Sequence, residues 1–194
     1  MYTIKKKGSE NIPTITITDY IDPNGYCPKI VFSVTYSDEG FHVHYDAYEK
    51  NPKRVMTQHF QPVHLDSCLE WFVRFDPEHS QRYVNFEVNA NGVINFSFRM
   101  DRYDELFFTE EDAECLNIKT EIFEDYWTID YTVPFTFIKK YIPDYEFKKG
   151  MVLDSNVYKC GDETEFEHYG CWKMVDRTKP DFHLPRYFGK MIIE

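Results

Sequence analysis

Hydrophobic and polar residues alternate along most of this chain, which is the pattern of β-strands with one buried face. The clearest alternations cover residues 41–47, 84–88, 94–98 and 127–133. Shorter runs of the same character lie at residues 14–18, 30–36, 69–75, 116–123, 152–158 and 190–193. About ten strands with no long helical repeat between them predict an all-β fold, namely an antiparallel β-sandwich with at most one or two short helices.

Residues that end or interrupt strands refine this prediction. Asn91-Gly92 separates the runs at residues 83–88 and 93–99, and this dipeptide favours the positive φ angles of a type I′ turn, so the two runs should form a hairpin. Pro134 should end the strand before it, because proline cannot donate a hydrogen bond to a neighbouring strand. Residues 135–142 have apolar side chains at helical spacing, which predicts a short helix.

Composition narrows the functional classes. The chain has 194 residues and a formal net charge of −11, and 18% of its residues are aromatic. The length suits one domain covering residues 1–194. A nucleic-acid partner is disfavoured because phosphate contacts need clustered cations, and an anionic membrane surface is disfavoured for the same reason. No secretory signal pattern and no apolar run of membrane-spanning length occur, so cytoplasmic is the default expectation.

The five cysteines indicate reduced thiols. An odd number without a C-x-x-C pair is unlike the disulfide framework of a small secreted protein. Cys160 and Cys171, with His168 between them, fit no common zinc spacing. Sequence motifs of nucleophilic hydrolases, P-loop proteins, zinc proteases and dinucleotide-binding enzymes are also missing.

Several ordered segments carry a family resemblance. They begin with Asp66-Ser-Cys-Leu-Glu-Trp-Phe and Tyr83-Val-Asn-Phe-Glu-Val-Asn-Ala-Asn-Gly. Further segments are Trp127-Thr-Ile-Asp-Tyr-Thr-Val-Pro-Phe, Asn156-Val-Tyr-Lys-Cys-Gly-Asp-Glu-Thr-Glu, His168-Tyr-Gly-Cys-Trp and Pro180-Asp-Phe-His-Leu-Pro-Arg-Tyr-Phe-Gly. In this order and spacing, from about residue 30 onward, the chain resembles the family 9 carbohydrate-binding modules, in particular their single-domain bacterial relatives.

The resemblance implies a β-sandwich and non-catalytic binding of a saccharide, in characterised members at the reducing end of a glycan. A sugar ring stacks its apolar face on an aromatic side chain, while its hydroxyls need planar polar partners. By resemblance, the polar contacts are assigned to Glu70, Arg99, Asn156, Lys159 and His183. Trp172 is assigned the stacking role, with Tyr158 or Tyr169 as the second ring. Trp71 and Trp127 alternate with apolar residues and are expected in the core.

Other interpretations stay open at this stage. Each of these polar residues has a structural alternative, such as an ion pair or a hydrogen bond to the backbone. No cofactor is required, although the acidic residues 162–165 give a hypothesis of structural calcium. A glycoside hydrolase could use two of the many carboxylates, and a haem-binding sandwich could use Met100 and His183. A mono- or oligosaccharide is the expected ligand, and a glycan-degrading enzyme is a candidate partner.

Overall fold

The computed structural model describes residues 1–21, 25–176 and 180–194, and within them the chain is all-β with two short α-helices. The strands are β1 Tyr2–Lys6, β2 Ile15–Ile17, β3 Asp19–Ile21, β4 Ile30–Tyr36, β5 Gly40–Ala47, β6 Cys68–Arg74, β7 Tyr83–Asn89, β8 Ile94–Arg99, β9 Glu105–Phe107, β10 Lys119–Ile122, β11 Trp127–Pro134, β12 Val152–Gly161, β13 His168–Cys171 and β14 Gly189–Ile193. The helices are α1 Glu110–Cys115 and α2 Phe135–Tyr141, and the 3-10 turns are Val63–Leu65 and Pro185–Tyr187.

The strands form two facing layers that join at one seam. Sheet A has the order β9-β8-β7-β6-β12-β14-β1, with β13 beside the second half of β12 and β3 beside β13. Sheet B has the order β10-β11-β5-β4, and both β2 and β1 flank β4. Strand β1 belongs to both sheets, because Tyr2–Ile4 pair with Met191–Ile193 and Lys5–Lys6 pair with Thr35–Tyr36.

The strictly antiparallel sandwich predicted from the sequence is therefore wrong in detail. Both pairings of β1 are parallel, so the sheet is mixed and curls through the seam from one layer into the other. The described residues hold fourteen strands where about ten were predicted. The four missed strands are β1, β3, β9 and β13, which have only three to five residues each. Alternation over so few residues is too short to stand out in the sequence.

The hairpin of β7 and β8 is confirmed, but its turn is not of type I′. Gly92 has a φ of 77°, whereas Asn91 is not among the residues with positive φ. The Gly92 amide donates to the Asn89 carbonyl at 2.9 Å, and Val88 lies opposite Ile94. This is the three-residue connection in which a turn is followed by a left-handed glycine. Since Val88 and Ile94 pair directly, the hairpin also fixes which side chains of β7 and β8 face each other.

The short helix predicted at residues 135–142 exists. Helix α2 follows Pro134, the last residue of β11, as predicted. The acidic residues 110–114 form the beginning of α1, where Thr109 and Asp112 make a reciprocal capping box. Neither helix is long and apolar enough to cross a bilayer, and this holds for every helix in the described segments.

The aromatic residues fill the space between the two sheets. Trp71 and Trp127 are fully buried, which confirms the prediction that they belong to the core. Trp71 stacks on Phe86 at 5.7 Å and meets Phe41 edge-on, so the rings of sheet A contact those of sheet B. Each indole N–H is satisfied, by the Ser155 Oγ at 2.8 Å and by the Glu49 Oε2 at 3.1 Å respectively. Burial of rings this large is the main favourable term in a two-layer core.

Candidate functional site

A cavity of about 270 Å³ lies on the outer face of sheet A, on the side away from the aromatic core. Its floor follows the strand register, in which Glu70 of β6 lies opposite Glu87 of β7, and Glu87 lies opposite Asn95 of β8. Because side chains alternate along a strand, Trp71 and Phe86 point into the core while Glu70 and Glu87 point outward. The lining residues are His64, Glu70, Glu87, Asn95, Arg99, Arg102, Glu105, Cys160, Asp162, Tyr169, Pro180, Phe182 and His183.

Two carboxyl groups face each other on this floor. Glu70 and Glu87 are both buried, and the direct cross-strand position brings their side chains close together. Burial, together with the charge of Glu87, raises the pKa of Glu70 well above its usual range. Burial also raises the pKa of Glu87, although Asn85 and Asn95 donate hydrogen bonds to it at 2.7 and 3.1 Å. Burial and the neighbouring acid therefore favour the protonated form of Glu70 in the cavity.

Arg99 ends β8 beside this pair and supplies positive charge. Its guanidinium donates to the Asn85 Oδ1 at 3.2 Å and to the Arg102 carbonyl at 3.0 Å, and it forms an ion pair with Glu105 of β9. A guanidinium has five N–H donors, so three contacts leave two for another partner. The fixed and buried guanidinium can therefore donate to a ligand in the cavity.

The segment that precedes β14 covers the cavity. Phe182 stacks face to face on Tyr158 at 4.0 Å, which anchors the segment to sheet A. His183 Nδ1 lies 2.9 Å from the Tyr83 hydroxyl, and its Nε2 lies 4.0 Å from Glu87. Burial and the nearby Arg99 and Arg102 guanidiniums lower the pKa of His183 to about 3, so the imidazole is neutral at physiological pH.

The remaining wall comes from three separate loops and strands. His64 lies in the short 3-10 turn before β6, Asp162 follows β12, and Tyr169 lies in β13. The Tyr169 hydroxyl donates to Glu167 at 2.7 Å, which leaves the ring itself half-buried along the cavity. Burial raises the pKa of Asp162. This wall thus adds two rings and one acid to the polar floor.

Three of the six residues assigned from the sequence meet in the cavity, namely Glu70, Arg99 and His183. Asn156 is fully buried outside the cavity, where its side chain forms two hydrogen bonds with the backbone of Lys173. Its amide donates to the Lys173 carbonyl at 2.8 Å, and its Oδ1 accepts from the Lys173 amide at 2.9 Å. These bonds hold the loop after β13 against β12.

Lys159 lies on the inner face of β12 and is fully buried between the sheets. Its Nζ pairs with Glu49 Oε2 at 3.1 Å, while Glu49 Oε1 accepts from the Ser67 hydroxyl at 2.9 Å. Burial opposes the ionisation of Glu49, but Lys159 and His168 hold the pKa of Glu49 below its usual range. Burial and Lys159 lower the pKa of His168 to about 4. Lys159 is therefore the cation of a buried ion pair, and it does not line the cavity.

Trp172 also lies outside the cavity. Its ring is half-buried against the main core and lies over Gly189, where an added Cβ would approach the ring to 2.9 Å. The Lys173 Nζ lies 4.7 Å from the ring centroid on the exposed side. The rings that line the cavity are instead those of His64, Tyr169, Phe182 and His183. Of the two tyrosines named as a second ring, Tyr169 lines the cavity, whereas Tyr158 is fully buried beneath Phe182.

Sequence reasoning missed several lining residues, most clearly Glu87 and Asn95. The signal for them was present, because the alternation that exposes Glu70 also places Glu87 and Asn95 on the polar face of their hairpin. What the alternation could not give was the pairing of β6 with β7. His64, Arg102 and Phe182 lie in turns and loops, where no periodicity identifies a direction, whereas Asp162 belongs to the acidic residues 162–165 that were predicted to bind a cation.

The residues of the calcium and haem hypotheses do not converge. In the acidic loop, Asp162 faces the cavity, Glu163 pairs with Lys53 at 3.4 Å, and Glu165 lines a different cleft. The calcium site stays a prediction. Met100 is 44% exposed and does not line the cavity that contains His183, so the proposed axial pair has no shared site.

Comparison with known proteins gives one family over nearly the whole chain. The family described as carbohydrate-binding family 9 matches residues 7–193. No curated protein matches significantly.

Solved structures share the fold. One is a protein from Bacteroides uniformis ATCC 8492 to which carbohydrate binding is attributed. It has a TM-score of 0.82 at 20% identity, and the alignment covers 100% of this chain and 99% of that protein. A family 9 module from Caldicellulosiruptor kristjanssonii in complex with cellotriose has a TM-score of 0.71 at 10% identity, with 100% and 93% covered. Its complex with glucose gives 0.70 at 10% identity, with 99% and 94% covered.

Proposed function

Because the chain belongs to carbohydrate-binding family 9, we propose that it binds a saccharide without transforming it and that the sheet A cavity is the binding site. The observation that carries this proposal is the row Glu70, Glu87 and Asn95 on a buried strand floor, with Arg99 beside it and aromatic rings above it. Planar polar groups on rigid strands, opposite apolar rings, form the surroundings that a sugar ring requires.

The size of the cavity favours a small ligand. Sites for drug-sized molecules usually enclose about 300–1,000 Å³, and this cavity has about 270 Å³. One sugar ring, free or at the end of a longer glycan, fits that scale. The glucose and cellotriose of the two family 9 complexes are therefore the first ligands to test.

The floor offers both donors and acceptors for hydroxyl groups. In its protonated form, which burial favours, the Glu70 carboxyl group can donate one hydrogen bond and accept another, and Arg99 has two N–H groups left. Glu87 already accepts from Asn85 and Asn95, which fixes the orientation of its carboxylate but leaves lone pairs unused. Such groups can bridge neighbouring hydroxyls, and charged partners make these bonds stronger than neutral ones.

Replacing Tyr169 by alanine is expected to weaken saccharide binding at least about fivefold, since a stacked ring contributes about 1 kcal/mol beyond its buried area. Tyr169 suits this test because its ring lines the cavity while being only half-buried. Isothermal titration calorimetry with glucose and cellotriose measures the effect. Tyr48→Ala is the matched control, because Tyr48 is exposed and lies just after β5 of sheet B.

The two variants together decide where the saccharide binds. Equal affinity of Tyr169→Ala and the wild-type protein would place binding elsewhere on the surface. Absence of binding by the folded wild-type protein to any member of a mono- and oligosaccharide panel would contradict the proposed function itself.

Trp172→Ala separates the cavity from the stacking role assigned by resemblance. Because Trp172 packs over Gly189 outside the cavity, we expect saccharide affinity to stay within about twofold of wild type, a change of less than about 0.5 kcal/mol. Stability should fall, but by less than the roughly 3–5 kcal/mol of a fully buried Trp→Ala change, since the ring is half-buried. Loss of saccharide binding in a variant that is still folded would restore Trp172 as the stacking ring.

A second candidate function is glycoside hydrolysis, which the facing pair Glu70 and Glu87 favours. A raised pKa keeps one carboxyl group protonated as a general acid, and a neighbouring carboxylate can act as nucleophile or base. Release of reducing sugar from an oligosaccharide panel, abolished by Glu70→Gln, would establish this activity. Binding without release would leave the cavity as a binding site, and docking of the protein to a glycan-degrading enzyme would remain a separate prediction.

A further inference from the structure

Three potential metal-ligating atoms converge at one end of the cavity floor. The Sγ atoms of Cys68 and Cys160 and a carboxylate oxygen of Glu70 all lie within 4.8 Å of one another. Cys68 and Cys160 are direct partners across β6 and β12, and Glu70 lies two residues after Cys68 on the same face of β6. The strand register therefore builds this group, and each side chain in it is at most 3% exposed.

Lys159 acts on this cluster only at a distance, through its charge. The Cys160 thiol donates to the Glu70 Oε1 at 2.9 Å. The Cys68 thiol is in hydrogen-bonding contact with the Cys160 sulfur and makes a long contact, of 4.0 Å, with the Leu69 carbonyl. Among the residues that the structure describes, no lysine or arginine lies within ion-pair distance of Glu70. The group directly across from Glu70 is another acid, Glu87, and like charges in that position are unfavourable.

Two buried cysteines alone would be explained as small apolar residues. That explanation does not cover the carboxyl group beside them. A buried acid with an acidic neighbour is costly in free energy unless it keeps its proton or binds a cation. Thiols bind a metal as thiolates, so the protons of these groups leave when a cation binds. Cation binding would release them to solvent and place three anionic ligands around the ion.

We propose that Cys68, Glu70 and Cys160 bind one thiophilic divalent cation of the Zn²⁺ class, whose fourth position is open to the cavity. Two thiolates and one carboxylate are a ligand set that Zn²⁺ accepts and that Ca²⁺ and Mg²⁺ do not prefer. In a tetrahedron with metal–sulfur bonds of about 2.3 Å, the ligand atoms lie roughly 3.8 Å apart. Donors within 4.8 Å need to close by about 1 Å at most, which side-chain rotation can supply.

The open position adds a function to the cavity. Cys160 and Glu70 both line it, so a water molecule or a ligand hydroxyl can reach a metal held by them. The cation binding itself needs no saccharide. Its failure would therefore leave the proposed saccharide binding intact, and saccharide titrations in the presence of EDTA test that function separately.

The first experiment is a Co²⁺ titration of the full chain under reducing conditions without saccharide. We expect one Co²⁺ per chain, intense visible absorption of a tetrahedral site, a near-ultraviolet charge-transfer band from thiolate to cobalt, and replacement by added Zn²⁺. Cys68→Ser and Cys160→Ser should each lose the charge-transfer intensity of their own sulfur. Cys115→Ser is the matched control, because Cys115 is an exposed free thiol in α1, and its spectrum should equal that of wild type.

A wild-type measurement keeps the test independent of how well the variants fold. X-ray absorption at the zinc edge should show two sulfur neighbours at about 2.3 Å together with oxygen at about 2.0–2.2 Å. A shell made of nitrogen and oxygen alone would overturn the proposal. So would the absence of stoichiometric binding, or a cobalt spectrum that is the same in folded Cys160→Ser as in the wild-type protein.

Discussion

Replacing Lys159 by methionine is expected to lower the free energy of unfolding by about 3–5 kcal/mol, the cost typical of leaving one buried charge without its partner. Lys159 and Glu49 are 0% and 4% exposed and lie 3.1 Å apart between the two sheets. Without the ammonium group, the Glu49 carboxylate keeps only hydrogen bonds from Ser67 and Trp127 and a His168 ring at 4.0 Å. With Lys159 present, His168 is neutral at physiological pH, so the ammonium group is the charged partner that Glu49 loses.

The double variant Glu49→Gln/Lys159→Met should recover most of this loss. Removing both charges also removes the desolvation penalty of both, and buried ion pairs can often be replaced by neutral groups at little cost. Urea unfolding followed by tryptophan fluorescence gives the free energies. Lys119→Met is the matched control, because Lys119 is exposed on β10, and its change should stay within about 0.5 kcal/mol. A Lys159→Met variant as stable as this control would show that the buried pair contributes little.

Glu70→Gln is expected to change the pH dependence of stability. In the unfolded chain Glu70 ionises near its ordinary pKa of about 4.3, whereas burial raises the pKa of Glu70 well above this range in the folded protein. Between the two values the folded state holds one more proton than the unfolded state. This group therefore makes stability fall as pH rises, by at most about 1.4 kcal/mol per pH unit.

The glutamine variant removes that dependence because it cannot ionise. It should match the wild-type protein near pH 4 and become progressively more stable relative to it as pH rises through 5 and 6. Urea unfolding at each pH, with EDTA present so that no cation binds Glu70, measures the difference. Glu121→Gln, at an exposed position of β10, controls for loss of a surface acid. A stability difference that is constant with pH would contradict a protonated Glu70.

The sequence was most informative where the strands are long. Alternation along β6 placed Glu70 and Trp71 on opposite faces of the strand, and this one pattern assigned both a core residue and a cavity residue. It did not reveal that Glu87 is the partner of Glu70, because the pairing of β6 with β7 is a tertiary property. The sequence therefore identified single residues on single strands. It did not identify the row of Glu70, Glu87 and Asn95 that the pairing of the strands creates.

Lys159 and Trp172 show why the remaining assignments needed the structure. A lysine in a strand is ordinarily a solvated charge. The burial of Lys159 depends on an ion pair with Glu49, which is far away in the sequence and offsets the cost of desolvating the ammonium group. Trp172 follows β13, where the chain direction depends on Asn156 holding the Lys173 backbone. Neither partner is visible in the local pattern from which the roles were assigned.

The seam formed by β1 has a consequence for how the protein folds. Residue 2 pairs with residue 191, so the contact that joins the two layers spans almost the whole chain. Contacts of such large sequence separation are costly in chain entropy and slow folding. During synthesis, the strands that bear the cavity are complete before β14 leaves the ribosome, but β1 can pair with sheet A only after β14 has emerged. We therefore expect the pairing of β14 with β1 and β12 to be among the last steps of folding, with that edge of β12 exposed until then.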